Sequence, residues 1–172
     1  PNLSRALRVE ALYALQSWPQ ASTLDPIDGR YFPIPAGDVD TLSAAIGPEI
    51  WSLANDADDK VSRRAIAVLQ SIKPNKAQRD QVAGFVLDEG QRSAVRKAWL
   101  RWLRKQDLAL FTSVGVKALC SKSPELRVVA AQELTGAKQG RSAVNSYLLA
   151  TLKNSGDTVE LQRAIKMVTR LP

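Results

Sequence analysis

A nine-residue pattern occurs four times along the chain and limits the folds that the chain can adopt. The copies are residues 7–15, 61–69, 95–103 and 126–134. They follow aliphatic-Arg-x-x-Ala-x-x-x-Leu, with Ser62 at place two and Trp99 at place five as the two departures. Because places one, five, eight and nine fall on one face of an α-helix, each copy predicts an amphipathic helix.

The copies recur at the intervals of a repeat protein. They start at residues 7, 61, 95 and 126, which gives intervals of 54, 34 and 31 residues, and a weaker copy begins near Val159. A second amphipathic stretch precedes every copy after the first, at residues 38–55, 75–89, 107–122 and 140–155. Repeats of about 30 to 47 residues with two helices each predict an α-solenoid.

Polar residues mark where several of these helices start. Asn75, Asp107 and Asp157 occupy N-cap positions, and Ser123 precedes Pro124 as a cap with proline at the first helical position. The acids Asp56, Asp58 and Asp59 also precede a helix, so capping explains them better than a metal site does.

Two segments carry a family resemblance, IGPEIWSLANDADDKVSRRAIAVL and VGVKALCSKSPELRVVAAQEL. They resemble HEAT repeats, in which an acidic turn joins a proline-bearing first helix to a second helix with the pattern V/L-R-x-x-A-x-x-x-L. The resemblance implies an all-α fold, a right-handed α-solenoid of about four and a half antiparallel helix pairs in one domain. Its parts are a half repeat (helix 4–18), an insertion loop (19–37) and repeats at about 38–73, 74–106, 107–138 and 139–172.

The stretch LDPIDGRYFPIP, residues 24–35, lies within the insertion 19–37, which interrupts the array and accounts for the long first interval. Its three prolines stop helix formation, and Asp28-Gly29 marks a turn. We expect an ordered loop packed on the helices, with Trp18, Tyr31 and Phe32 as anchors and with Tyr31 or Phe32 buried. The alternative is a docking surface for another domain, which requires both rings to be exposed.

The insertion has a resemblance of its own, through Trp-Pro after the helix and Asp-x-x-x-Gly-Arg-Tyr-x-Pro. It is similar to a junction in large secreted bacterial proteins that join a sugar-dehydrogenase-like β-propeller, a HEAT array and a cytochrome-c-like domain. The resemblance implies a module excised from an extracytoplasmic dehydrogenase or haem protein, and both chain ends look cut. Residues alone indicate no compartment.

The amino-acid composition excludes several kinds of catalytic and metal-binding site. The chain has no histidine and only Cys120 as cysteine, which excludes histidine triads, imidazole metal sites and an internal disulfide. No apolar run is long enough for a membrane span. The acid pairs Asp25/Asp28 and Asp38/Asp40 are weak candidates for acid–base or calcium chemistry. We therefore predict no catalytic residue, cofactor or metal site, and a segment that is not an enzyme.

The charge pattern offers a candidate interaction surface. The net charge of +7 permits nucleic acid, acidic lipid or acidic protein as a partner. Five cations on second helices of the pairs form this candidate surface: Arg63, Lys97, Arg101, Arg104 and Lys105. On residues 92–106 the aromatic side chains lie opposite the cations and cannot stack on a base that the cations hold, so a plain solvated face is the other interpretation.

The resulting functional hypothesis is a monomeric, non-catalytic scaffold that binds a protein or neighbouring domains of the same parent. HEAT proteins are generally interaction modules, which is what the resemblance implies. The alternative is a basic nucleic-acid-binding HEAT protein, similar to a DNA glycosylase, and it is less favoured. Arg8, Arg96 and Arg127, at place two, are expected to pair with acids along the array.

Small and aromatic residues predict how the core packs. Gly84 and Gly115 lie inside predicted helices and indicate close contact with a neighbouring helix. Cys120 is expected to be a partly buried apolar residue. All four tryptophans are expected to fill the core, with a loop-anchoring role open to the first: Trp18, Trp51, Trp99 and Trp102.

Overall fold

The computed structural model describes residues 3–20, 24, 28–31 and 37–169. That part of the chain is all-α, as predicted, with two short 3-10 helices at Trp18–Gln20 and Lys138–Gly140. None of its helices combines the length and the apolar character needed to cross a membrane. The α-helices are α1 (Arg5–Ser17), α2 (Val39–Leu53), α3 (Asp59–Val68), α4 (Lys76–Leu87), α5 (Ser93–Gln106), α6 (Leu108–Ala118), α7 (Pro124–Leu134), α8 (Arg141–Asn154) and α9 (Thr158–Val168).

The predicted N-caps of α4, α6, α7 and α9 are confirmed. Each capping side chain accepts a hydrogen bond from a backbone N–H in the first turn of its helix, which satisfies a donor that has no partner within the helix. Gln78 completes a capping box at the start of α4 by bonding back to the cap backbone. The caps are Asn75, Asp107, Ser123 and Asp157.

The chain divides into two compact units, residues 1–73 and 74–172. In the first unit, α1 and α2 both pack against α3. Its core consists mainly of aliphatic side chains from these three helices: Leu12, Leu42, Ile50, Val61, Ile66 and Leu69.

In the second unit the helices pack in chain order, and alternate helices also meet. Helix α4 contacts α5 and α6, helix α5 contacts α6 and α7, and helix α7 contacts α8 and α9. Trp99 and Trp102 are fully buried in α5, with perpendicular rings whose centroids lie 5.6 Å apart. Phe85 of α4 stacks on Trp99 at 6.3 Å. These two tryptophans fill the core as predicted.

Leu134 at the end of α7 lies against two glycines. A Cβ placed on Gly115 of α6 would lie 3.1 Å from the Leu134 side chain, and one on Gly140 would lie 2.9 Å away. The close contact predicted at Gly115 is therefore confirmed. The same prediction for Gly84 is wrong, because this residue lies on the exposed side of α4 and a Cβ there would meet nothing within 4 Å.

The described part of the insertion turns where the sequence predicts. Gly29 has φ +70°, and the Asp28 carboxylate accepts a hydrogen bond from Arg30 N at 2.9 Å. Leu24 and Tyr31 form an isolated antiparallel bridge across this turn. Tyr31 is 70% exposed and is not the buried ring, so the prediction that Tyr31 or Phe32 is buried depends on Phe32. Phe32 lies outside the described residues.

Trp18 contacts the far end of the insertion instead of entering the core. Its carbonyl oxygen accepts a hydrogen bond from Gly37 N at 2.9 Å. Its indole ring covers Gly37 so closely that a Cβ there would lie 2.0 Å from Nε1. At 50% exposure Trp18 does not fill the core, which corrects that prediction, whereas its contacts with Gly37 are those of a loop anchor.

Two further expectations about burial differ from the structure. Cys120 is exposed rather than partly buried, because the chain leaves α6 through a turn just before this residue. Trp51 on α2 is only half-buried. Both residues lie at or near the end of a helix, where fewer neighbours cover a side chain.

Candidate interaction surface

Three of the five predicted surface cations meet acids of α7. Arg101 Nε lies 3.1 Å from Glu133 Oε1, and the Arg104 guanidinium binds the same carboxylate. Lys97 forms an ion pair with Glu125. We call these five residues the α5–α7 ladder. The ladder connects α5 with α7, which are the second helices of two successive predicted repeats.

The ladder changes the charge that α5 presents. Hydrogen bonds from Lys97 and then from Ser93 lower the pKa of Glu125, so this carboxylate stays ionised and neutralises the lysine. Glu133 lies between two guanidinium groups and compensates one of them. The α5–α7 ladder therefore carries three cations against two acids, a mixed surface that keeps a net positive charge.

The other two predicted cations lie outside the ladder. Lys105 is exposed at the end of α5. Arg63 belongs to α3 in the first compact unit, where its Nε donates to Asp59 O at 3.1 Å. Lys97, Arg101 and Arg104 therefore belong to the α5–α7 ladder. Arg63 belongs to the first compact unit.

Sequence reasoning did not identify the two acids of the ladder. Each acid follows its cation by 28 to 32 residues, close to the 31-residue interval between the nonamers of α5 and α7. Residues one interval apart lie side by side when second helices pack in order. A search of the sequence for opposite charges about 31 residues apart would therefore have identified Glu125 and Glu133.

Arg96 is the most buried of the three place-two arginines, at 2% side-chain exposure. Its Nε donates to Val86 O in the last turn of α4 at 2.8 Å, and its two terminal nitrogens bind the Glu89 carboxylate at 2.8 and 3.0 Å. Glu89 also accepts from Ser121 Oγ at 2.8 Å. Bonds from Arg96 and then Ser121 lower the pKa of Glu89 to about 2. The group connects the end of α4 with the turn before α7.

Arg127 and Glu160 connect α7 with α9. Arg127 Nε and Nη2 bind the two Glu160 oxygens at 2.7 and 2.6 Å, a bidentate pair. Tyr147 OH and Ser155 Oγ donate to the same carboxylate at 2.7 and 3.0 Å. The Arg127 bond chiefly lowers the pKa of Glu160. Burial, and then the bond to Glu160, raises the pKa of Tyr147.

Glu160 also corrects the register of the last repeat. It is the third residue of α9, just as the first residue of each other nonamer is the third residue of its helix. The last copy therefore begins at Glu160 rather than Val159, with the fully buried Ala164 at place five. A buried carboxylate at a place that is otherwise aliphatic concealed this register in the sequence.

Arg8 in the first unit completes the set. Its Nη1 lies 2.6 Å from Asp56 Oδ2 in the turn before α3. Asp58 caps α3 by accepting from Lys60 N at 2.8 Å, and Asp38 caps α2. The prediction that Arg8, Arg96 and Arg127 pair with acids is confirmed, and so is the capping role of Asp58.

Within the described ranges, His, Cys, Asp and Glu side chains do not gather in groups of three that could hold a metal ion. The charged groups described above instead bond to other groups of the same compact unit. The chain matches no protein-family model, no curated protein and no solved structure. Chemically, the arrangement is suited to holding helices in register and to presenting a surface of paired charges.

Proposed function

We propose that the chain is a non-catalytic scaffold, a protein-interaction module built as a HEAT-type right-handed α-solenoid. The observation that carries the proposal is the bonding of successive second helices. Helices α5, α7 and α9 pack in order, and the α5–α7 ladder and the Arg127–Glu160 pair connect each to the next. Contact between neighbouring repeats is what stabilises repeat proteins of this kind.

The ion pairs on the exposed face of α5 favour a protein over a nucleic acid as the partner. A phosphate would have to displace Glu133 to reach Arg101 or Arg104, and this competition weakens the gain from counterion release. Trp99 and Trp102 are buried and offer no ring for base stacking. A surface of alternating opposite charges complements another protein surface of mixed charge.

The insertion supplies the second contact of the proposed scaffold. Tyr31, which is 70% exposed beside the Asp28-Gly29 turn, meets one of the two requirements of the docking interpretation, in which Tyr31 and Phe32 are both exposed. Following the resemblance of the insertion, we propose that the loop contacts a neighbouring domain of an extracytoplasmic dehydrogenase or haem protein. The redox reaction then belongs to those neighbours, and this segment positions them.

Photo-crosslinking tests the proposal. A photoreactive residue replaces Tyr31 in the parent protein, and a second variant carries it at Lys153, which is exposed at the end of α8. We expect the Tyr31 variant to form one major adduct with a protein domain, identified by mass spectrometry, and the Lys153 variant to form none with that domain.

Titration with duplex DNA tests the alternative, in which the chain binds nucleic acid. We expect weak, non-saturating binding at about 50 mM salt, because few phosphate contacts are available. Tight binding that falls steeply between about 50 and 200 mM salt, and that Arg101→Glu abolishes, would contradict the scaffold proposal.

A further inference from the structure

The second compact unit is strongly basic, whereas the first is not. Residues 74–172 contain 17 Lys and Arg against 8 Asp and Glu, which gives a net charge of +9. Residues 1–73 contain 7 Lys and Arg against 9 Asp and Glu, which gives a net charge of −2. Because a surplus of one charge attracts a partner of the opposite charge, the second unit is suited to an acidic segment.

A pocket of about 250 Å³ in this unit is lined by residues of α5, α7 and α9, and we call it the α5–α7–α9 pocket. Val128, which is buried, and Val159, which is 56% exposed, give it apolar surface. Lys97 of α5, Glu125 of α7 and Arg163 of α9 give it charged groups. The pocket therefore suits a single large side chain that has an apolar body and a polar tip.

The Glu125 carboxylate keeps one oxygen for such a polar tip. Ser93 Oγ donates to Glu125 Oε2 at 3.0 Å, and Lys97 Nζ donates to the same oxygen. Among the described residues, no group donates to Glu125 Oε1. Since the carboxylate is ionised and its side chain is 60% exposed, a hydroxyl in the pocket has a strong acceptor within reach.

The other charges of the lining determine which residues can flank this side chain. Asp157 accepts from Glu160 N at 2.7 Å as the cap of α9, and the Glu160 carboxylate binds Arg127. Arg163 is exposed and, in the described part of the chain, forms no ion pair. Lys97 uses one of its three N–H donors within the ladder. The two cations disfavour a lysine or arginine in the pocket and favour carboxylates beside it.

We propose that the α5–α7–α9 pocket binds a tyrosine of a protein partner, within a segment rich in aspartate and glutamate. The inference rests on the proposed interaction function and specifies one binding segment of the partner. The tyrosine ring lies against Val128 and Val159, and its hydroxyl donates to Glu125 Oε1. Tyr147 makes a bond of the same kind within the chain, to the Glu160 carboxylate at 2.7 Å. Acidic residues on either side of the tyrosine meet the two cations of the lining.

A synthetic peptide tests the pocket. The probe is a fluorescent peptide with a central tyrosine and three glutamates on each side, and its two controls carry phenylalanine or alanine at the centre. We expect the tyrosine peptide to bind the whole chain saturably in the micromolar to sub-millimolar range. The phenylalanine peptide, which lacks the hydroxyl, should bind about threefold to tenfold more weakly. The alanine peptide, which also lacks the ring, should bind at least about tenfold more weakly.

The substitution Glu125→Leu locates the tyrosine hydroxyl. This variant lacks the acceptor, so the tyrosine and phenylalanine peptides should bind it equally, whatever the change in their common affinity. Because Glu125 is 60% exposed, the variant should melt close to the wild type, and circular dichroism checks this.

Two substitutions with the same loss of charge locate the acidic flanks of the peptide. Arg163→Gln removes a cation from the pocket, whereas Lys153→Gln removes one from the exposed end of α8, which does not line the pocket. We expect Arg163→Gln to weaken binding of the tyrosine peptide by about threefold to tenfold and Lys153→Gln to weaken it by less than about twofold.

Several outcomes overturn the inference. The absence of saturable binding does so, as does equal binding of the tyrosine and alanine peptides. A preference for tyrosine over phenylalanine that persists in Glu125→Leu, or equal weakening by Arg163→Gln and Lys153→Gln, places the peptide outside the pocket. Duplex DNA that displaces the peptide and is itself lost in Arg163→Gln would make nucleic acid the occupant. If Tyr31 crosslinking still captures a protein domain in these cases, the pocket alone fails and the scaffold function stands.

Discussion

At the scale of single residues, two glycines determine how closely Leu134 packs against its neighbours. Leu134 approaches Gly115 and Gly140 so closely that an added Cβ would lie only 3.1 and 2.9 Å from its side chain, whereas a Cβ on Gly84 would meet nothing within 4 Å. The three glycines therefore differ only in what faces them. A glycine inside a helical pattern carries no information about its neighbour, which explains why the same sequence reasoning is right for Gly115 and wrong for Gly84.

Alanine substitutions separate these two positions. Gly84→Ala should stabilise the chain by about 0.5–1 kcal/mol, because alanine is the better helix former and nothing obstructs its methyl group. Gly115→Ala makes the same gain but forces Leu134 to move, at a cost of about 1–3 kcal/mol. Urea unfolding of both variants measures the difference. Equal stabilisation by the two substitutions would contradict the close contact at Leu134.

Exposure of single side chains is the part of the fold that the sequence predicts least well. N-caps such as Asn75 and Ser123 depend on bonds within one turn, so a local pattern is sufficient to predict them. The exposure of Tyr31, Trp18 and Cys120 depends on what packs over them from elsewhere. The apolar character of a residue does not contain that information.

At the scale of elements, place two of the second helix carries a repeated charge contact. Arg8, Arg96 and Arg127 each pair with an acid, which lies in a turn between two helices for Arg8 and Arg96 and in α9 for Arg127. The arginine position was predictable from the pattern. The acid was not, because Asp56 and Glu89 lie in turns and Glu160 occupies an aliphatic place in its helix.

A double-mutant cycle tests whether Arg127 and Glu160 act as a pair. Arg127→Met or Glu160→Leu alone leaves a charge without its partner at a largely buried site, and each should cost about 3 kcal/mol of unfolding free energy. The double variant should cost less than the sum, with a coupling of about 1–3 kcal/mol. Denaturant unfolding of all four chains gives the coupling.

The exposed ladder pair is the matched control for this cycle. Lys97→Met and Glu125→Leu remove a pair whose acid is 60% exposed, so their coupling should stay below about 1 kcal/mol. Equal coupling in the two cycles would show that burial does not strengthen the Arg127–Glu160 contact.

The same contacts predict how stability depends on pH. The folded pKa values of Glu89 and Glu160 lie below the ordinary value of 4.5, and that of Glu89 is about 2. Their contribution is complete above the unfolded pKa and is lost as the pH falls from about 4.5 towards 2. The pKa of Tyr147 is raised, so its contribution is complete below pH 10 and is lost at higher pH.

Thermal melts across the pH range measure both effects. We expect the melting temperature to fall on each side of neutrality and the acid fall to be smaller in Glu160→Gln, which has no carboxylate to protonate. An unchanged acid dependence in Glu160→Gln would show that other carboxylates cause the fall.

At the scale of the whole molecule, the nonamer period predicted the all-α class, which the described residues confirm. The single domain and the antiparallel helix pairs stay predictions. The period did not give the register of the last repeat, because that register depends on the buried carboxylate of Glu160.

The central claim is that successive repeats are stabilised by their nearest neighbours, as in a solenoid. Hydrogen-exchange mass spectrometry of Ala164→Asp tests it most directly, since this substitution puts a charge at a fully buried place of α9. The account predicts that protection is lost in α8 and α9 and retained in α4 and α5, because each repeat depends only on those beside it. Equal loss of protection in α4, α5, α8 and α9 would contradict it.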